Sequence, residues 1–165
     1  MPLPAPFRKA MLLTHILCSV SWIGAVAAFL VLALVGLYTT NVLEMRAAYM
    51  AMEPVTTWLI VPLAFLSLAT GLIQALATSW GVFRHYWIVF KLLINSLSLP
   101  ILLLHTRIIH GVAKATAANA LSAAGLHEDR VQLVVASLAA LTALVVATLL
   151  SVYKPKGVIG YGPLR

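Results

Sequence analysis

Charged residues are scarce in this sequence, and acidic residues are nearly absent. Lys, Arg, Asp and Glu make up 9% of the 165 residues, and only four residues are Asp or Glu. Soluble domains carry about 25% charged residues, so a soluble domain is not expected. Hydrophobic residues account for 62% of the chain and the mean hydropathy is +1.03, which indicates an integral membrane protein.

Several motifs of soluble enzymes are also missing. The single cysteine, Cys18, excludes an intramolecular disulfide. The sequence contains no glycine-rich phosphate loop, no nucleophile elbow and no carboxylate within an apolar run. These absences argue against a nucleotide site, a serine hydrolase and a carboxylate-based proton pump. The formal charge of +7 comes from basic residues that flank apolar runs, so it indicates membrane topology rather than nucleic acid binding.

Four apolar segments are long enough to cross a bilayer, which takes about 20 residues each. They cover residues 10–37, 55–77, 87–106 and 131–153. We therefore predict one integral membrane domain over residues 1–165, an all-α transmembrane bundle of four antiparallel helices. Residues 39–54 and 107–130 are predicted to be long connections. Within the first of these, residues 44–53 have one apolar face, typical of an interfacial surface helix.

The basic residues predict the orientation in the membrane. On the side of the two termini there are six basic residues and no acidic one: Arg8, Lys9, Arg84, Lys154, Lys156 and Arg165. On the other side the basic residues are balanced by Glu44, Glu53, Glu128 and Asp129. Because cytoplasmic loops carry the excess of Lys and Arg, both termini are predicted to be cytoplasmic, in a multi-pass protein of the inner (cytoplasmic) membrane.

Small residues recur at helical spacing in two of the spans. The fourth span has four alanines on one face, and the first span has the pair Gly24 and Ala28; the alanines are Ala136, Ala140, Ala143 and Ala147. Such residues allow helix backbones to approach closely in lipid. They predict either close packing within the bundle or contact with a second copy or a partner membrane protein.

A polar face runs along the third span. Counting from Lys91, the residues at one helical face are Asn95, Ser98, Leu102 and His105. A charge at the bilayer centre costs at least about 2.5–3.5 kcal/mol on insertion scales. This face is therefore predicted to point into the bundle or into a wet cavity.

Two polar side chains, His15 and Lys91, are predicted to lie at the same depth and to face each other within the bundle. His15 lies six residues after Lys9 and Lys91 six residues after His85, so each is about 9 Å inside its helix at 1.5 Å per residue. The His15 face continues through Ser19 and Trp22. The candidate cofactor-binding residues are His15, Ser19, Trp22, Lys91 and Asn95. Two other interpretations stay open: Lys91 extends to the headgroups, and His15 only hydrogen-bonds between helices.

A metal site is a second possibility. Its candidate ligands are His15 and Cys18 on the first span and His105 near the far end of the third. His105 could also combine with His110 and His127 outside the membrane. Thioethers are soft ligands that suit cuprous copper, so the methionines of residues 45–52 could attract copper, although an amphipathic surface helix explains them equally.

Three stretches of the sequence resemble a known family. They are His15-Ile-Leu-Cys-Ser-Val-Ser-Trp22-Ile-Gly24, Tyr86-Trp87-Ile-Val-Phe-Lys91-Leu-Leu, and Val152-Tyr153-Lys154-Pro155-Lys156-Gly157. The chain resembles uncharacterised bacterial four-span membrane proteins that share a domain of unknown function. More distantly, the first two stretches are similar to the HemJ type of protoporphyrinogen oxidase and to the copper-resistance D membrane proteins.

The HemJ resemblance implies a cofactor. In that type, a histidine and a lysine equivalent to His15 and Lys91 are implicated in haem binding and porphyrinogen oxidation, and Trp22 and Gly24 complete the first motif. The resemblance thus implies haem b near His15 and Lys91. An accessory or scaffold membrane subunit without a cofactor and a copper-handling protein remain alternatives, and whether the chain is an enzyme is left open.

Overall fold

The computed structural model describes residues 4–77, 85–118 and 126–154. In these ranges the chain forms the helices α1 (Ala5–Tyr38), α2 (Val42–Val55), α3 (Val61–Ala77), α4 (Tyr86–Ala117) and α5 (Leu126–Tyr153), with a π-helical segment (Thr56–Ile60) between α2 and α3. Four stretches of helix are long and apolar enough to cross a membrane: Ala5–Tyr38, Val42–Leu76, Tyr86–Ala117 and Leu126–Tyr153. The predicted all-α fold with four spans is confirmed.

The second span begins earlier than the sequence pattern predicted. The Asn41 side chain accepts a hydrogen bond from the Leu43 N–H at 2.9 Å and starts α2, which runs through the π-helical segment into α3. Tyr49 and Met52 are almost fully buried. The prediction of a separate interfacial helix over residues 44–53 is therefore wrong: its apolar face packs inside the bundle, and the connection from α1 is only residues 39–41.

The π-helical segment lies at a proline-rich part of this span. The Val61 N–H reaches back five residues to the Thr56 carbonyl, and Pro62, which follows, has no N–H to donate. Thr56 is buried and its hydroxyl donates to the Met52 carbonyl at 2.8 Å. Its side chain is thus satisfied within the helix where the regular backbone pattern changes.

The helices form a ring. α1 packs against α2, α3 and α5, and α4 packs against the same three helices. α1 and α4 therefore lie diagonally across the bundle, as expected when consecutive antiparallel helices are neighbours. The core between them is built around Trp22, Phe29, Tyr49, Met52 and Leu133, all of which are buried.

One arginine joins three helices at the end of the bundle that holds the α1–α2 turn. Arg130, in the first turns of α5, donates from Nε to the Tyr49 hydroxyl at 2.7 Å and from a terminal nitrogen to the Gly36 carbonyl at 2.8 Å. Its guanidinium carbon lies 5.3 Å from the centre of the Tyr49 ring. Gly36 lies directly against that ring, and a larger residue would have to displace the ring or the helix that carries it.

Most of the small residues do not make the close helix–helix contacts that the sequence predicted. Gly24 and Ala28 are exposed on the outside of α1, and a Cβ on Gly24 would meet no atom within 4 Å. On α5, Ala136, Ala140 and Ala143 line a cavity, while Ala147 is buried. On α4 no residue between Ile88 and Ile109 is buried. The α4–α5 side of the ring is thus the loosely packed side.

The contact between Gly36 and Tyr49 predicts a stability effect. A Cβ at position 36 would lie 2.6 Å from Tyr49 Cζ, so Gly36→Ala should lower the free energy of unfolding by about 1–3 kcal/mol, the usual range for overpacking. Gly111→Ala is the matched control, because a Cβ there meets no atom within 4 Å. It should leave stability unchanged or raise it. Equilibrium unfolding in mixed detergent micelles measures both, and equal stabilities would contradict the packing described.

Candidate functional site

Hydrogen bonds connect one face of α1 to α3 in the half of the bundle near the N-terminus of α1. Gln74 Nε2 donates to the Met11 carbonyl at 2.8 Å. His15 Nδ1 lies 3.0 Å from the Thr70 hydroxyl, and the hydroxyls of Ser19 and Ser67 are 2.8 Å apart. The three α1 positions are spaced by four residues, so they share one face, and this face is held against α3.

The contacts of Thr70 indicate which ring nitrogen of His15 carries the proton. The Thr70 hydroxyl has one proton, and its acceptors are the carbonyls of Leu66 at 2.6 Å and Ser67 at 3.2 Å. The shorter of these contacts, to Leu66, favours donation of the Thr70 proton along α3 rather than to His15. With that proton so placed, His15 Nδ1 donates in the 3.0 Å contact and the neutral ring carries its lone pair on Nε2.

A glycine allows the imidazole to lie against α3. A Cβ on Gly71 would be 2.9 Å from His15 Cε1 and 3.5 Å from Nδ1, which is closer than a side chain can normally come. Gly71 and Thr70 are adjacent in the chain, so one supplies the space for the ring and the other its hydrogen-bond partner. The ring is thereby fixed in position and in tautomer, the arrangement that proteins use for histidine ligands of metals.

Lys91 lies on a diagonal helix rather than on a neighbour of α1. Its ammonium is 5.9 Å from the centre of the Trp87 ring, one turn nearer the N-terminus of α4. It is close enough to His15 and to Lys154 for electrostatic interaction. Lys91 therefore adds positive charge to the end of the bundle that holds His15, while the hydrogen bond of His15 goes to Thr70.

The polar face of α4 has the orientation predicted from its spacing. Lys91, Asn95, Ser98, Leu102 and His105 are all partly buried, whereas four leucines on other faces of α4 are exposed: Leu93, Leu97, Leu103 and Leu104. Ser98, Leu102 and His105 line a cavity. Asn95 is not among the residues that line it.

That cavity has a volume of about 520 Å³ and lies between α1, α4 and α5; we call it the α4–α5 cavity. Its lining is mostly apolar. The polar side chains around it come from Trp22, Thr56, Ser98, His105, Gln132 and Ser137. Trp22 is 3% exposed, and its indole Nε1 is buried without a hydrogen-bond partner among the described residues.

The predicted metal ligands are not brought together. His105 Nδ1 donates to the Ile101 carbonyl at 2.9 Å, His110 pairs with Glu53 at 2.8 Å, and Cys18 is half-buried on α1. In residues 4–77, 85–118 and 126–154, no three His, Cys, Asp or Glu side chains are placed to hold a metal ion. Met52 is buried and Met50 is exposed, so these two thioethers point to different sides of α2.

Sequence reasoning missed Ser67, Thr70 and Gly71 of α3. Ser67, Thr70 and Gln74 recur at intervals of three and four in an otherwise apolar span, which predicts one polar face. The sequence also has a small residue, Gly71, directly beside Thr70 on that face. This signal could have identified α3 as the partner of the His15 face.

The hydrogen bond between His15 and Thr70 predicts a measurable contribution to folding. Thr70→Val keeps the shape of the side chain but removes the acceptor. It should lower the free energy of unfolding by about 0.6 kcal/mol, the average measured for interhelical bonds in membranes, and by no more than about 1.7 kcal/mol. Thr142→Val is the control, because the exposed Thr142 hydroxyl only bonds within its own helix, to Leu138. Unfolding in mixed micelles should separate the two variants. Identical stabilities would show that the interhelical bond contributes nothing.

Comparison with known proteins gave no match of the chain to a family model, to a curated protein or to a solved structure.

Proposed function

We propose that this integral membrane protein binds haem b through His15. The observation that carries the proposal is the 3.0 Å contact between His15 Nδ1 and the Thr70 hydroxyl, whose own proton has the Leu66 carbonyl as an acceptor at 2.6 Å. We infer from it that Nδ1 donates to Thr70 and that the Nε2 lone pair is left for a ligand role. A histidine that binds a metal usually donates its other ring N–H to an oxygen, which orients the ring and increases its basicity. The donor set at His15 therefore fits a residue that would hold haem iron through its Nε2.

The surroundings of His15 fit the same role. Gly71 keeps one face of the imidazole free of side-chain bulk, so that the ring can be held rigidly against α3. Lys91, at the same end of the bundle, supplies a cation that suits a haem propionate. When bound, haem would supply one-electron redox chemistry. The residues of the chain hold the imidazole, fix its tautomer and place positive charge nearby.

The proposal predicts an optical signature. The full chain, purified in detergent and reconstituted with haemin, should show a Soret band and a reduced-minus-oxidised difference spectrum. His15→Ala should lose both, and Thr70→Val should weaken haem binding by about tenfold or more, as the loss of the partner of a histidine ligand does elsewhere. The exposed His127 provides the control, and His127→Ala should match the wild type.

Two results would reject haem binding at His15. One is the absence of a Soret band in folded, reconstituted wild-type protein. The other is equal haem content in the wild type and in His15→Ala. Metal analysis of the same samples also tests copper, because a copper site that uses His15 and Cys18 requires metal that is lost in His15→Ala.

A second candidate is an accessory subunit of a membrane assembly. It is favoured by the exposed pair Gly24 and Ala28, which no helix of the described chain covers. Small residues on a lipid-facing surface permit close approach of another helix. In this role Lys91 only fixes the rotation of α4, and the reconstitution above gives no Soret band with any variant.

We further propose that the protein lies in a bacterial inner membrane with both termini in the cytoplasm. The support is the distribution of Lys and Arg, which leaves the side of the termini without an acidic residue. Green fluorescent protein fused after Arg165 should fluoresce, and alkaline phosphatase at the same position should be inactive. Phosphatase fused after Ala117, at the opposite end of α4, should be active. The reverse pattern would contradict the orientation.

A further inference from the structure

We infer that a second, polar cavity binds the head group of a zwitterionic phospholipid that carries a phosphate and a primary ammonium, phosphatidylethanolamine. This cavity has a volume of about 310 Å³ and lies between α4 and the chain where α2 continues into the π-helical segment; we call it the Glu53 cavity. Its lining holds a carboxylate, a guanidinium, an imidazole and hydroxyl groups; among them are Glu53, Thr57, Thr106, Arg107 and His110. The inference goes beyond haem binding and does not rest on it.

The Glu53 cavity lies at the edge of the hydrocarbon core. No Asp, Glu, Lys or Arg follows Glu53 until Arg84, and on α4 none lies between Lys91 and Arg107. His110 Nδ1 is 2.8 Å from Glu53 Oε1, so these two uncharged stretches end at the same level. The stretch from Lys91 to Arg107 spans about 24 Å of a core that is about 30 Å thick. The cavity is therefore at the level of lipid head groups.

Exposed residues beside the cavity indicate the same level. Trp58 follows Thr57 of the lining and is 80% exposed, and tryptophan is enriched where the bilayer meets water. Leu103 and Leu104 precede Arg107 by about one turn toward the bilayer centre, on the same side of α4, and both are exposed. Acyl chains can lie on these leucines while the head group occupies the cavity.

The phosphate of the lipid fits Arg107. This side chain is exposed and has no ion-pair partner among residues 4–77, 85–118 and 126–154. Glu53 lines the same cavity but pairs with His110, so the guanidinium and the carboxylate are left apart with space between them. A guanidinium presents a planar fork of donors that matches two phosphate oxygens.

The ammonium of the lipid fits Glu53 and Thr106. His110 occupies Oε1 of Glu53, whose side chain is still 44% exposed, so Oε2 remains as an acceptor. The Thr106 hydroxyl donates to the Leu103 carbonyl at 2.7 Å, which leaves its oxygen as a second acceptor. A primary ammonium has three N–H groups and can use both.

The pairing of a cation with an anion in one cavity favours this head group over two others. The trimethylammonium of phosphatidylcholine has no N–H to donate. Phosphatidylglycerol satisfies Arg107 but brings no cation to Glu53, and its net negative charge is repelled by the carboxylate. The charges of the cavity therefore match a phosphate and a primary ammonium together.

The test titrates the delipidated full chain in detergent with dioleoyl phosphatidylethanolamine, phosphatidylcholine or phosphatidylglycerol, and counts bound lipids by native mass spectrometry. Wild type should bind one phosphatidylethanolamine saturably, about fivefold more tightly than the other two, the upper range for a partly exposed ion pair. Arg107→Gln should weaken its binding by about tenfold or more, as expected for a charge-assisted hydrogen bond. Glu53→Gln should remove the preference for phosphatidylethanolamine.

Two matched controls remove an exposed charge at the same end of the bundle but outside the cavity. They are Lys114→Gln on α4 and Glu128→Gln on α5, and both should keep the affinity and the preference of the wild type. Melting temperatures in the same detergent separate loss of binding from loss of fold. Soluble phosphoethanolamine, the head group alone, should bind more weakly than the lipid.

Four results would overturn the inference. They are equal binding of the three lipids to the wild type, tightest binding of phosphatidylglycerol, wild-type binding of phosphatidylethanolamine by Arg107→Gln, and binding of phosphoethanolamine as tight as that of the lipid. The last result would assign the cavity to a soluble ligand instead. The optical spectrum of reconstituted His15→Ala is independent of all four, so haem binding and lipid binding can fail separately.

Discussion

The hydrogen bonds between α1 and α3 are the constraint on which the rest of the structure depends. Lipid offers no partner for a polar side chain, so the His15 and Ser19 face of α1 must point at an element that supplies partners. α3 supplies them with Thr70 and Ser67. The rotation of α1 about its axis is thereby fixed, because turning this face toward lipid would leave several polar groups unpaired.

That rotation also determines where Trp22 lies. Trp22 is seven residues, close to two turns, after His15 and so belongs to the same face of α1. Near the N-terminal half of α1 this face meets α3, which is polar there. Further along the helix the same face meets the space left between α4 and the alanines of α5. One helix face thus carries a hydrogen-bonded histidine at one level and, at another, an indole that has no hydrogen-bond partner among the described residues.

Much of the architecture could be predicted from the sequence, because it depends on length and hydropathy. The four spans follow from apolar runs, and the inward orientation of Ser98 and His105 follows from helical periodicity. The start of α2 could also have been predicted, since Asn41 and Glu44 have the spacing of a helix cap and its third residue. The start of α2 was missed because the polar residues of α2 suggested a surface helix. The burial of Tyr49 and its hydrogen bond from Arg130 depend on distant parts of the chain, so the local sequence does not reveal them.

The candidate site was predicted only in part. Equal depth placed His15 and Lys91 at one end of the bundle, but depth does not specify which helices are neighbours. In an antiparallel ring the first and third spans are diagonal, and His15 was already paired with α3. The alanines of α5 show a similar limit of prediction from sequence. Small residues permit close packing, but whether a neighbouring helix fills the space depends on the residues of α4. Those residues are at most partly buried there.

The most direct test of the His15 arrangement is the tautomer of its ring. Nitrogen NMR of the full chain, with labelled histidine in detergent micelles at neutral pH and His15→Asn for assignment, distinguishes a protonated ring nitrogen from one with a lone pair. The structure predicts a proton on Nδ1 and none on Nε2, and a changed Nδ1 signal in Thr70→Val. A proton on Nε2 of His15 would contradict the hydrogen bond to Thr70 and, with it, the proposed ligand role.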